Sequence, residues 1–161
     1  MDAAKRGFPN KRVWLVGLLT GIALMAHEAM AGGSLATPPN ERWKAECGSC
    51  HLAYPPQLLP PQSWKRLMSQ LDSHFGADAS VDPAAAAEIG AYLQRYSSSP
   101  RRRDASGSLR ITETPWFVHE HDDVLAASWK HPAVKSAANC AACHTAAEQG
   151  DFRKRNIRIP R

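Results

Sequence analysis

The chain has 161 residues, 22% of them charged, with a formal net charge of +5. That length allows one domain or two small lobes. Six of the charged side chains fall in the first 31 residues, and without them the net charge is +3, too small a balance to imply nucleic-acid binding.

The first element is a leader. Lys5, Arg6, Lys11 and Arg12 precede an apolar run from Val13 to Ala26, and Ala29-Met30-Ala31 follows as a small-x-small site. This is the layout of a secretory signal peptide. The 14-residue apolar run is short of the roughly 20 residues that span a bilayer. Cleavage after Ala31 and export to the periplasm are therefore expected, leaving 130 residues. A chain of that size buries only a modest core.

Residues 32–40 read as a flexible lead. A short helix from Glu41 through Trp43 runs into Cys47-Gly48-Ser49-Cys50-His51. The prolines of Tyr54-Pro55-Pro56 and Leu58-Leu59-Pro60-Pro61 predict extended or turn backbone. Ser63 is the expected N-cap of the next helix and Gly76 its stop, with Trp64, Leu67, Met68, Leu71 and Phe75 at helical spacing between them. His74 lies on the edge of that apolar face. Asp82-Pro83 opens a further helix that continues through Tyr96. Residues 98–107, rich in Ser, Arg and Gly, are a linker by composition. It divides an N-terminal lobe over 32–97 from a C-terminal lobe over 108–161. The second lobe shows little periodicity outside Val124 to Trp129, and it carries Cys140-Ala141-Ala142-Cys143-His144.

All four cysteines (Cys47, Cys50, Cys140 and Cys143) belong to the two Cys-x-x-Cys-His motifs, so none remains for a disulfide. Both motifs read as attachment sites for heme c. Two thiols add across the two vinyl groups of the macrocycle, and two intervening residues let one turn of chain present both sulfurs to one edge. The next residue then lies beneath the iron, which makes His51 and His144 proximal ligands. Two large apolar cofactors would also supply much of the core that so short a chain lacks. A pair of zinc knuckles is the competing reading, but zinc does not require a histidine directly after each pair. A redox dithiol would expect a βαβ context, and no alternating strand pattern exists.

Each iron needs a sixth ligand if the protein only carries electrons. Spacing offers His74 or Met68 for the first iron. For the second it offers His119, His121 or His131, with His119 and His121 pointing to opposite sides if that segment is extended. Nothing in the chain suggests a nucleophile–base pair or a phosphate-binding loop. The alternative function is a heme enzyme with one five-coordinate iron. The basic runs Arg101–Arg103 and Arg153–Arg161 read as solvated surface.

The chain resembles the small diheme cytochromes c of bacteria. The resemblance rests on the first motif followed by Tyr54-Pro55-Pro56 and Leu58-Leu59-Pro60, then Ser63-Trp64, His74-Phe75-Gly76 and Thr114-Pro115-Trp116-Phe117. Glu120-His121, Asn139 to His144 and Ile157-Arg158-Ile159-Pro160 complete it. It implies a mainly α fold of two small heme lobes, the first like a small monoheme cytochrome c, and an electron carrier rather than an enzyme. It further implies two histidines on each iron, and so His74 and His121 as the sixth ligands. The expected partner is a redox protein, such as a membrane b-type cytochrome or another heme protein.

Overall fold

The computed structural model describes residues 33–98 and 107–160. The expected leader, its cleavage point and Arg101–Arg103 lie outside the described residues, as does most of the expected linker. Among the described residues the protein is helical, with isolated β-bridges and no strand, as the mainly α reading requires.

Helix α1, Glu41–Cys47, is capped by Asn40, whose side chain accepts from the Trp43 N–H at 2.7 Å. It delivers the chain directly into the first motif. Helix α2 differs from its expectation at both ends, running from Pro61 to Met68. Pro61 occupies the first turn, where its missing N–H and fixed φ cost nothing. Ser63 is consequently a buried residue inside the helix rather than its cap. At the other end the Ser69 hydroxyl donates to the Arg66 carbonyl at 2.8 Å, a local bond that competes with helix propagation. A 3₁₀ turn at Leu71–Ser73 follows. The apolar spacing of Leu67 and Leu71 carries on across this break, which is why periodicity alone extended the helix to Gly76. Helix α3, Pro83–Tyr96, starts where expected, with Asp82 accepting from the N–H groups of Ala84 and Ala85 at 3.0 and 2.9 Å.

α1, α2 and α3 close on a core of Leu59, Trp64, Leu67, Ala85, Ile89, Tyr92 and Leu93. Leu109 and Ile111, from beyond the linker, pack against the same core. The reverse crossing occurs at the start of the described chain. Leu35 is buried among second-lobe residues and donates its N–H to the Gly150 carbonyl at 2.7 Å. Gly150 has φ +69°, and a Cβ there would lie 2.9 Å from the Ala36 nitrogen, so glycine is what allows this approach. The two lobes are thus laced together by exchanged segments.

The second lobe holds more helix than its sequence suggests. α4 spans Pro115–Glu120 and α5 spans Ala126–Trp129, with 3₁₀ turns at Cys140–Ala142, Ala147–Gln149 and Lys154–Asn156. The Thr114 hydroxyl caps α4 by accepting from the Phe117 N–H at 3.2 Å.

Candidate functional site

The first centre forms where the motif ending α1 meets the turn after α2. The His51 ring faces the His74 ring, with centroids 6.3 Å apart and planes 25° from parallel. Two imidazoles bound at about 2.0 Å on opposite sides of one metal ion would place their centroids about 6 Å apart. The His51 Nδ1 lies 2.7 Å from the Leu52 carbonyl. Donation there puts the proton on Nδ1 and leaves the Nε2 lone pair free for metal. His74 sits at the corner of a tight turn closed by the Ala77 N–H donating to the His74 carbonyl at 3.1 Å. Phe75 and Gly76 fill that turn with φ of +52° and +97°. A non-glycine residue in this region stores strain, and Phe75 is held there by its edge contact with His74 at 4.8 Å and by the Arg110 guanidinium over its face at 4.3 Å. Burial, with His51 opposite, lowers the His74 pKa and favours the neutral ring that can ligate.

Met68, the other sixth-ligand candidate, ends α2 on a different element. It packs against the core of the first three helices and borders a shallow surface groove with Lys65, Ala86 and Gly90.

The second centre is the more enclosed. His121 and His144 face each other at 6.1 Å between centroids, with planes 74° apart. Their cavity is lined by Phe117, Trp129, Val134 and Phe152, with Cys140 and Cys143 at its wall. His121 sits at the C-terminal cap of α4, with Nδ1 2.8 Å from the Phe117 carbonyl, which accepts from it, and with its ring stacked 4.0 Å from Phe117. Trp129 lies 5.9 Å from His121 and Phe152 lies 5.1 Å from His144. Burial, with His121 opposite, lowers the His144 pKa.

The C-terminal segment closes this centre. The Thr145 N–H donates to the Asn156 carbonyl at 3.0 Å, and the Arg158 N–H donates to the Cys143 carbonyl at 2.8 Å. Arg153 and Arg155 both pair with Asp151. The backbone of the tail is therefore folded against the second motif, while the Lys154, Arg155 and Arg158 side chains are exposed, as the solvated-surface reading expects.

The remaining histidines stand apart from the cavity. The segment carrying His119 and His121 is helical rather than extended. His119 projects to solvent, its side chain 81% exposed and Nδ1 3.7 Å from Asp122. His131 turns its Nδ1 back to accept from the Ala133 N–H at 3.1 Å.

Burial pushes both the Cys47 and the Cys140 thiol up to about 11. Among the described residues no three His, Cys, Asp or Glu side chains converge as they would on a bare metal ion. In each centre one buried ring nitrogen, Nδ1 of His74 and of His144, has no hydrogen-bond partner. Leu35 and Phe152 complete the second centre without any spacing in the sequence that marks them, and Trp129 does so from the end of the periodic stretch Val124 to Trp129.

Two attachment motifs, each backed by a facing imidazole, define a covalent diheme cytochrome of the c type. Comparison with known proteins agrees. Residues 43–152 match the family model described as dihaem cytochrome c. A diheme cytochrome c from Rhodobacter sphaeroides is 39% identical, with a TM-score of 0.66, over 73% of this chain and 99% of that one. A diheme cytochrome type c from Shewanella baltica is 38% identical, with a TM-score of 0.67, over 77% of this chain and 95% of that one. No curated protein matches the chain. The chain belongs to the dihaem cytochrome c family. It carries two heme c groups and is an electron-transfer heme protein.

Proposed function

We propose that this protein is a periplasmic carrier of single electrons whose two hemes are each ligated by two histidines. Cys47 and Cys50 attach the first heme, with His51 and His74 as its axial pair. Cys140 and Cys143 attach the second, with His144 and His121 as its axial pair. The observation that carries this reading is the facing imidazole at each motif, at 6.3 and 6.1 Å between centroids.

Bound heme supplies a one-electron iron couple, which bis-histidine ligation places below a His/Met couple. The chain's own residues do the rest. His51 and His121 donate Nδ1–H to backbone carbonyls and so present Nε2 in a fixed orientation. Phe117, Trp129, Val134 and Phe152 line the second centre with apolar side chains, and the apolarity and burial of its surroundings tune a heme's potential. The leader read from Lys5 to Ala31 supports export. The partner is a redox protein, such as a membrane b-type cytochrome or another heme protein, and the basic side chains of 153–158 favour an acidic face on it.

The alternative, a heme enzyme, needs one five-coordinate iron. Neither centre favours it, because each motif histidine already has a second imidazole opposite. Optical and electron paramagnetic resonance spectra of the oxidised protein test the proposal. Two low-spin irons and no carbon monoxide adduct on reduction are expected; a high-spin iron or a carbon monoxide adduct would refute it.

A further inference from the structure

The four axial imidazoles are not held alike. His51 and His121 each fix their ring by donating Nδ1–H to a backbone carbonyl, and His144 is fixed by its place beside Cys143 in the second motif. His74 has neither support. Its Nδ1 has no hydrogen-bond partner, and no attachment cysteine adjoins it. Its ring is set by packing, chiefly by the Phe75 ring at 4.8 Å. Phe75 is itself under tension, since φ of +52° is strained for a residue other than glycine, and its side chain is 46% exposed. The group over its face is the Arg110 guanidinium, 4.3 Å from the centroid. Arg110 comes from the far side of the linker and is well placed there. Its backbone N–H donates to the Ser108 hydroxyl at 3.1 Å, its Nε lies 3.5 Å from Glu113, and its neighbours Leu109 and Ile111 pack against the first core.

We infer that Arg110 is a positioning residue that locks His74 on the first iron, by holding Phe75 against the imidazole from the segment after the linker. The inference rests on the bis-histidine reading above. When Phe75 relaxes toward negative φ, the turn that presents His74 opens and the imidazole leaves the iron. The cation–π contact opposes that relaxation and favours the closed turn about two- to fivefold, the range of an exposed pair of this kind. No covalent bond of the chain changes. The imidazole departs with its lone pair, and the position it leaves takes another donor such as cyanide. The second iron needs no such clamp, because His121 has both its Nδ1 bond and its stack on Phe117.

The test uses oxidised holoprotein with both hemes attached. In excess cyanide the first iron exchanges His74 for cyanide at the rate at which the imidazole departs, and His74→Ala identifies which low-spin signal belongs to that iron. Arg110→Ala should speed exchange at the first iron about two- to fivefold and leave the second iron unaltered. Arg110→Lys, which restores a cation, should return most of the original rate. Phe75→Ala should speed exchange at least as much as Arg110→Ala, and combining the two should add nothing, because both break one contact. Arg42→Ala serves as control. Arg42 also makes exposed charge contacts in the first lobe, with Asp82 at 3.7 Å and Glu88 at 3.4 Å, but its partners belong to α3 and its cap. Its rate should match the unaltered protein. An unaltered rate in Arg110→Ala would overturn the inference, as would a rate that Arg110→Lys fails to lower, additive effects of the two substitutions, or equal acceleration at both irons or in Arg42→Ala. Failure of the bis-histidine reading is seen separately, because His74→Ala would then leave both low-spin signals as they were.

Discussion

Thr114 offers a sharp test of how the second centre is held. It is fully buried, accepts from the Phe117 N–H at 3.2 Å, and donates to the Ile111 carbonyl at 2.8 Å. Thr114→Val keeps the shape and removes the hydroxyl. The Ile111 carbonyl keeps the Thr114 N–H as a donor at 3.2 Å, so its loss is small. The Phe117 N–H loses its acceptor in a buried place, which costs about 1–3 kcal/mol, in the range of other lost helix caps. Taking about 2 kcal/mol, and about 4 °C per kcal/mol for a chain of this size, Tm should fall by about 8 °C. The consequence reaches the site, because Phe117 both accepts from His121 Nδ1 and stacks on its ring. The second iron should therefore show a broadened low-spin signal while the first is unchanged. Thr114→Ser, which restores the cap, should lose less than about 1 kcal/mol. Thermal unfolding followed at the heme band, with resonance spectra of each variant, makes the measurement. A Thr114→Val protein as stable as the original would refute the idea that this cap organises α4.

Intact mass of the exported protein should equal the chain from Gly32 plus two hemes, both resistant to acid-acetone extraction; one heme or none would contradict the attachment chemistry of the motifs. His74→Met should raise the potential of one heme only, since thioether replaces imidazole, and unchanged potentials would move the sixth ligand elsewhere. His121→Ala should open the second iron to carbon monoxide, whereas His119→Ala and His131→Ala should leave both spectra unaltered. Asp151 is held well below the usual carboxylate range, chiefly by its hydrogen bonds from Arg153. Its folded pKa being depressed, its contribution to stability is fully present above the unfolded value near 3.9 and is lost as pH falls through the folded one. The Tm deficit of Asp151→Asn should accordingly hold from neutral pH down to about 4 and shrink in stronger acid; a deficit independent of pH would refute this.

The chemistry of the two motifs was legible in the sequence because it is covalent and local. Two thiols two residues apart and a histidine next to them must fall on one edge of a macrocycle whatever the rest of the chain does. The start of α3 at Asp82-Pro83 was legible for the same reason, as a short polar side chain reaches only the next turn of backbone, whereas the cap at Asn40 was not read and Ser63, the cap expected for α2, lies inside that helix. The end of α2 was not, because Leu67 and Leu71 keep helical spacing across a break made by the Ser69 hydroxyl and the left-handed pair Phe75-Gly76. Nor could spacing choose between His74 and Met68, or among His119, His121 and His131. Those choices depend on which way each side chain is turned. The turn at His74 and the helix cap at His121 bring these two rings opposite the motif histidines, while Met68 enters the core and His119 and His131 turn away. Tertiary structure alone decided the lacing of the lobes through Leu35, Leu109 and Ile111. Contacts between residues so far apart in sequence depend on how whole elements pack, and a pattern read within one element carries no record of what will lie against it.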